Sequence, residues 1–356
     1  MRKFRTLSIR EISRPTPDSI AVAFAVPETL RGEFRHKQGQ HVSLRTVMDG
    51  EELRRCYSVT SIGGGDLRIV IRKVEGGRFS KFANENFKPG SEIEVLPPMG
   101  QFNVALDAKN AKHYIAFAGG IGITPIISLI RTTLDAEPKS RFTLFYANRS
   151  AASTVFREEI LELKNKYIGR FAPYFFFTRE KREIELFNGR IDARRCAEIL
   201  DRVIKNAQGD EFFLCAPEGM SRNIADTLEK KGIARERIHI ERFNVGSDAA
   251  ETKAPAPAAG SAAEASELTL VLDGFEHKVS FAPQSPNILS AAEEAGIDAP
   301  FSCRDGVCGT CRAKLLEGEV EMCANYCLED DQVAAGFILT CQSVPKTKRV
   351  VLSYDE

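Results

Sequence analysis

The spacing of apolar residues changes along the chain. Up to about residue 105 the apolar positions fall in short runs rich in β-branched residues, such as SIAVAFAV (19–26), GQHVSLRTV (39–47) and LRIVIRKV (67–74). Gly and Pro clusters separate these runs, a pattern that predicts an antiparallel barrel. Beyond it, buried-strand runs alternate with helical stretches. HYIAFA (113–118) precedes IISLIRTTL (126–134), and RFTLFYA (141–147) precedes a helix around TVFREEILELKNKY (154–167). FAPYFFFT (171–178) and DEFFLCA (210–216) are further strand candidates. Such alternation predicts a parallel sheet covered by helices. No internal repeat is visible.

A third region follows a linker. Residues 245–266 read VGSDAAETKAPAPAAGSAAEAS, without bulky apolar residues after Val245, and such a stretch cannot bury a core. Charge divides at the same place. From Glu267 onward there are 7 Lys+Arg against 15 Asp+Glu, a net of −8, so the preceding residues carry 42 − 34 = +8. An acidic domain tethered to a basic body suggests electrostatic docking between them. The whole chain balances 49 Lys+Arg against 49 Asp+Glu, which argues against a general nucleic-acid binder. The segment MRKFRTLSIREIS has no apolar stretch behind its basic residues and does not read as a secretory signal. The longest uncharged run, Tyr114 to Ile130, holds Gly119, Gly120, Gly122 and Pro125 and reads as strand, loop and helix rather than a membrane span. A soluble, cytoplasmic protein is expected.

Four of the nine cysteines carry the strongest chemical signal: Cys303-x4-Cys308-x2-Cys311, then 29 residues, then Cys341. This is the plant-type [2Fe–2S] spacing. Three thiolates converge from a loop of small and polar residues, and Gly306 and Gly309 allow backbone turns that aim N–H groups at sulfur. Structural zinc is the alternative, but it favours paired CxxC halves and only one CxxC is present. Cys323 and Cys327 lie outside the pattern and read as free thiols near the domain surface.

The second signal is GGIGITP, Gly119 to Pro125, between an apolar strand and an apolar helix. Glycines let backbone approach a pyrophosphate, and the helix N-terminus supplies positive potential. A merely tight strand-to-helix turn is the plainer reading. The loop CAPEGM (215–220) would put Cys215 at the carboxyl edge of the same sheet, where open α/β folds bind ligands. The third signal pairs Arg55-Cys56-Tyr57-Ser58 with Gly76-Gly77-Arg78-Phe79-Ser80, which together offer an Arg and a hydroxyl for phosphate, a ring for stacking and a close-approach turn.

In this order the motifs resemble a ferredoxin–NADP reductase-type flavoprotein fused to a plant-type ferredoxin domain, over essentially the whole chain except the linker. The resemblance implies a multidomain fold: an antiparallel β-barrel FAD domain (1–105), an α/β parallel-sheet NAD(P) domain (106–244), the Ala/Pro-rich linker (245–266) and an α+β, β-grasp ferredoxin domain (267–356). It implies that Arg55 binds the FAD pyrophosphate, that Tyr57 stacks on the flavin and that Ser58 sits near its reactive edge. Gly77, Arg78 and Ser80 match the family's phosphate-binding turn, and Gly120, Gly122, Thr124 and Pro125 its nucleotide loop. Cys215 falls where the family places a Cys near the nicotinamide, with Ala216 where the family usually has Gly. Ser58, Thr124 and Cys215 are the candidate catalytic residues, and Cys303, Cys308, Cys311 and Cys341 the cluster ligands.

The order reductase first, ferredoxin last is similar to the reductases of multicomponent bacterial oxygenases. EELRRCYS, EGGRFS, PPMGQF, NGRID, IHIERFN and GVCGTCRAKLLEGEV most resemble reductases of phenylacetyl-CoA 1,2-epoxidases. Reductases of ketosteroid hydroxylases and Rieske dioxygenases share much of the pattern. The expected flow runs from NAD(P)H through FAD and a [2Fe–2S] cluster to an external oxygenase component. A cluster-bearing redox sensor without turnover would need no nicotinamide site and fits the full motif set less well. NAD-type sites place an acid on the ribose, whereas this chain offers Asn148 and Arg149, then Thr178 and Arg179, at the two strand ends. The cations Arg149 and Arg179 favour NADPH, with NADH the alternative if both are only surface charges.

Overall fold

The computed structural model describes residues 3–63, 66–204, 208–243 and 266–356. The first domain is built from β1 (Arg5–Thr16), β2 (Ser19–Ala25), β3 (His41–Met48), β4 (Glu51–Ser58), β5 (Leu67–Arg72) and β6 (Glu92–Met99). They form one antiparallel sheet in the order β4-β3-β6-β1-β2-β5. Val59 bridges Ile69, which joins the two edge strands and closes the barrel. Val22, Phe24, Val42, Leu44, Ile69 and Val95 fill its interior, and α1 (Arg78–Asn86) adds Phe79 and Ala83 to that core. Asp49 and Gly50 take φ of 55° and 80° in the two-residue turn between Met48 and Glu51, the conformation that suits a tight hairpin. From that turn β3 and β4 pair residue for residue to His41 and Ser58. The parity of every side chain on β4 is thereby set.

The second domain has a parallel sheet of β7 (His113–Gly119), β8 (Arg141–Asn148), β9 (Phe171–Phe177), β10 (Glu211–Cys215) and β11 (Ile238–Ile240), in the order β11-β10-β7-β8-β9. Its helices are α2 (Ile123–Ala136), α3 (Arg157–Lys166), α4 (Ala193–Arg202) and α5 (Glu218–Lys230). Alternate residues of β7 serve opposite faces. Tyr114, Ala116 and Ala118 join the core under α2, while Ile115 and Phe117 join the one containing Ile199 of α4 and Ile224 of α5. Apolar residues on both faces explain the unbroken run HYIAFA. The strand order reverses at β7, so the crevice beyond Gly119 and Cys215 lies at the switch point where such sheets bind nucleotides. Helix α3 starts at Arg157, later than the apolar pattern places it: residues 151–153 form a separate 3-10 turn boxed by Ser150 and Ser153, and Phe156 takes a left-handed φ of 61°.

The third domain contains β12 (Ser266–Leu272), β13 (Phe275–Phe281), α6 (Ile288–Glu294), β14 (Arg312–Glu317), β15 (Val320–Met322), α7 (Asp330–Ala334), β16 (Phe337–Leu339), β17 (Ser343–Pro345) and β18 (Arg349–Ser353). The mixed sheet β13-β12-β18-β14-β16, with β12 parallel to β18, packs against α6 through Ile288, Leu289 and Ala292. Ser266, the end of the linker by composition, is instead buried and opens β12 opposite Phe281. The remainder of the linker assignment, 245–265, lies outside the described residues.

Candidate active site and cluster loop

The glycine loop meets the end of β10 at closest range. A side chain on Gly122 would begin 2.0 Å from the Cys215 carbonyl oxygen, so only glycine fits, and Gly120 turns with φ of 54°. Tyr146 donates its hydroxyl hydrogen to the Gly120 carbonyl at 2.9 Å, and the buried Thr124 donates to the Ile121 carbonyl at 2.9 Å. Pro125 is the third residue of α2, where the missing N–H has no intrahelical partner to lose. The Ala216 departure is accommodated locally. Gly119 faces it, and a Cβ on Gly119 would sit only 3.0 Å from the Ala216 methyl. Arg149 and Arg179 follow β8 and β9 at the carboxyl edge, both exposed, with the Arg179 N–H donating to the Arg149 carbonyl at 2.8 Å.

On the barrel side, β4 carries Arg55, Tyr57 and Ser58 to the domain junction. Tyr57 packs beside Phe79 with ring centroids 5.9 Å apart. Gly77 caps α1, and a Cβ there would meet the Ser80 hydroxyl at 2.6 Å. The Ser80 oxygen accepts from the Val74 N–H at 3.1 Å and donates to the Gly77 carbonyl at 3.3 Å, so this hydroxyl braces the turn. Arg78 reaches back to the β3–β4 hairpin, where it pairs with Glu51 at 2.5 Å and Asp49 at 3.7 Å. The turn therefore offers an anion chiefly the backbone N–H groups at the start of α1. Those amides, the Arg55 guanidinium and the Tyr57 ring fit a flavin dinucleotide.

One residue at the junction, Glu241, lies in the segment IHIERFN but takes no role from the sequence. Ser58 donates to the Glu241 carboxylate at 3.1 Å. Glu241 follows β11 and is half-buried as a residue, but protein surrounds its carboxyl and pushes its pKa up to about 7, opposed by His41 and the Ser58 hydrogen bond. Burial, with Glu241 nearby, raises the Cys215 thiol well above its usual range. Cys215 is therefore a neutral, non-nucleophilic wall at neutral pH. The only sequence signal for Glu241 is an acid directly after an apolar strand, in IHIERFN.

In the third domain the four cysteines meet as two pairs. Cys303 lies within hydrogen-bonding reach of Cys308, and Cys311 of Cys341. Cys311 also faces Cys303 and Cys308, so the four thiols line one cradle, and two pairs of thiolates are the donor set that a two-iron cluster takes. The donor set therefore fits [2Fe–2S]. The loop backbone completes the cradle. The N–H groups of Asp305 and Thr310 donate to the Cys303 and Cys308 sulfurs, each at 3.4 Å, and the Gly306 N–H donates to Cys341. Left-handed φ at Arg304 (60°), Gly306 (72°) and Gly309 (69°) turns these amides inward. Cys323 is a half-buried free thiol as expected. Cys327 differs from its surface reading: it packs against the domain core beside Cys303 and Cys341, and burial pushes its pKa up to about 12.

The sequence of domains matches known families throughout. Residues 6–104 match the oxidoreductase FAD-binding domain, 117–226 the oxidoreductase NAD-binding domain and 270–346 the 2Fe-2S iron-sulfur cluster binding domain. The chain is 37% identical to a subunit of the 1,2-phenylacetyl-CoA epoxidase of Escherichia coli, over 100% of this chain and 99% of that one. It is 30% identical to the ferredoxin reductase component of 3-ketosteroid-9-alpha-monooxygenase from Rhodococcus rhodochrous, over 98% of this chain and 96% of that one. The chain belongs to the reductases of multicomponent oxygenases. Its fold is shared with phthalate dioxygenase reductase (TM-score 0.58, 22% identity, 98% of both chains). A type IV self-sufficient cytochrome P450 monooxygenase also shares it (TM-score 0.69, 19% identity), matching 98% of this chain and 41% of that one. As a member of this reductase family the chain uses FAD, NAD(P)H and a [2Fe–2S] cluster to transfer electrons. Among the described residues no helix is long and apolar enough to cross a membrane.

Proposed function

We propose that this reductase draws electrons from NADPH and delivers them to the oxygenase of a phenylacetyl-CoA 1,2-epoxidase system. The observation that carries the partner is the likeness to the Escherichia coli epoxidase component, which runs through all three domains without loss of order. When bound, the flavin supplies the exchange between a two-electron donor and a one-electron acceptor, which no side chain can perform. The chain's own residues orient and exclude water. Arg55 and the first amides of α1 hold the flavin's phosphates, and Tyr57 lies along its ring. Gly120, Gly122 and the start of α2 receive the nicotinamide nucleotide's pyrophosphate, and Thr124 and Cys215 line the nicotinamide's approach. Ser58 and Glu241 hold an exchangeable proton at the junction, on the Glu241 carboxyl below about pH 7. Arg149 and Arg179 stand exposed just beyond the carboxyl ends of β8 and β9, where two cations suit a ribose 2′-phosphate.

The test mixes the purified reductase with the phenylacetyl-CoA oxygenase components, substrate, oxygen and NADPH, and measures substrate-dependent product. Product above that in a reaction lacking the reductase supports both partner and coenzyme. Bleaching of flavin and cluster by NADPH with no product refutes this partner and moves the assignment to another oxygenase, the ketosteroid type first. Product with NADH but not NADPH refutes the coenzyme alone.

A further inference from the structure

Strand β4 meets two domains at once. Its side chains alternate, and Leu53 and Tyr57 turn toward the barrel core while Arg54 and Cys56 turn toward the ferredoxin domain. The Arg54 side chain is 5% exposed. Its guanidinium donates to Glu52 at 2.7 Å on its own strand, to Asp298 at 3.2 Å and to the Phe301 carbonyl at 3.3 Å, and it lies 3.9 Å from the centroid of the Phe301 ring. Phe301 stands two residues before Cys303. Next to this contact the Cys56 thiol donates to the Ser302 hydroxyl at 3.1 Å, and Thr310 donates to the Met99 sulfur at 3.2 Å. A buried guanidinium is stable only when paired, and three of these contacts vanish if the ferredoxin domain lifts away.

We propose that Arg54 is the positioning residue that seats the cluster loop on the flavin strand, so that reduction of the cluster depends on Arg54 while reduction of the flavin does not. This rests on the reading of Arg55, Tyr57 and Ser58 as flavin residues. The direction of the charge agrees with it: an acidic domain lies on a basic body, with Lys3–Asp273 at 3.0 Å as a second bridge across the contact. Asp298 is largely exposed, so the ion pair alone contributes little. The anchor is the guanidinium lying over the Phe301 ring together with its forked hydrogen bonds, which a lysine cannot reproduce.

The test uses the full-length holoprotein and three variants, R54A, R54K and F301A, the last acting from the ferredoxin side. Flavin and iron contents are measured first. NADPH is then mixed anaerobically, and flavin and cluster absorbance are followed separately, with small-angle scattering on the same samples. Removing one partner from a buried, hydrogen-bonded charge cluster lowers docking strongly, so in R54A and F301A cluster bleaching slows by at least about tenfold. Flavin bleaching stays within about twofold of the parent on the same argument, because no flavin contact is removed. Scattering shows a larger radius of gyration, and R54K falls between R54A and the parent. Cluster bleaching at the parent rate with unchanged scattering overturns the proposal, as does equal slowing of flavin and cluster. If the parent's flavin is not bleached by NADPH or NADH, the functional reading fails instead. Scattering then still decides the anchor, an unchanged radius in R54A overturning it.

Discussion

Replacing Glu241 by Gln tests the electrostatics of the junction most directly. The carboxyl is enclosed by protein and titrates near 7 rather than at 4.5, while His41 and the Ser58 hydroxyl favour its ionised form without overcoming burial. A raised acid binds its proton more tightly in the folded chain than in the unfolded one. Stability is therefore fully present below about 4.5 and is lost as pH rises toward 7, beyond which the whole cost of ionisation is borne. The difference of 7 − 4.5 corresponds to at most about 3 kcal/mol, nearer 2 once partial access to water is counted. Gln stays neutral at every pH and keeps an oxygen for the Ser58 hydroxyl. E241Q should therefore melt close to the parent at pH 5 and about 5 °C above it at pH 8. Calorimetric melts of both proteins across that range measure the gap. A gap that is the same at pH 5 and pH 8 would refute the account, whatever its size, because only a group titrating between them changes it.

Three other outcomes follow from contacts already described. Gly122→Ala places a methyl 2.0 Å from the Cys215 carbonyl, and the displaced loop should abolish turnover with NADPH while the flavin content, set by the barrel, stays at one per chain. Arg149→Ala and Arg179→Ala should each lower kcat/KM for NADPH by about tenfold or more, the worth of a charge-assisted hydrogen bond, and leave NADH turnover unchanged; no loss with NADPH would reassign the pair to the surface. Cys303→Ser should lose the cluster's absorbance and electron delivery to the oxygenase yet keep NADPH–ferricyanide activity. Unimpaired oxygenase coupling in that variant would remove the cluster from the route.

Legibility in the sequence follows the range of each interaction. Strands β7, β8 and β9 can be read because their apolar runs are buried on both faces, and the grouping of Cys303, Cys308, Cys311 and Cys341 because three of the four lie within one loop. Strand β11 is three residues long and has no periodicity to show. The start of α3 is hidden because Phe156, which the apolar pattern counts into the helix, takes a left-handed φ of 61° and delays it to Arg157. The turn from Gly76 to Ser80 is legible, but not all of the bonding inside it: Ser80 braces it through local partners, whereas Arg78 pairs with Glu51, which comes near only when the barrel closes. Glu241 and Ser58 are 183 residues apart and meet only when the two domains pack. No local pattern can register a partner at that separation.

The same limit explains why Arg54 looks like an ordinary member of a basic pair. Arg54 and Arg55 are adjacent and chemically identical, and composition cannot distinguish them. The distinction comes from the Asp49–Gly50 turn, which pairs β3 and β4 without a bulge and so assigns odd positions to one face and even positions to the other. A slip by one residue would exchange the two arginines, turning Arg55 toward the ferredoxin domain and Tyr57 with it. On the proposed roles of Arg55 and Tyr57 in flavin binding and of Arg54 in domain seating, the two are therefore not independent properties of this strand. One hairpin register sets both, and this keeps the cluster loop against the segment that carries the flavin motif.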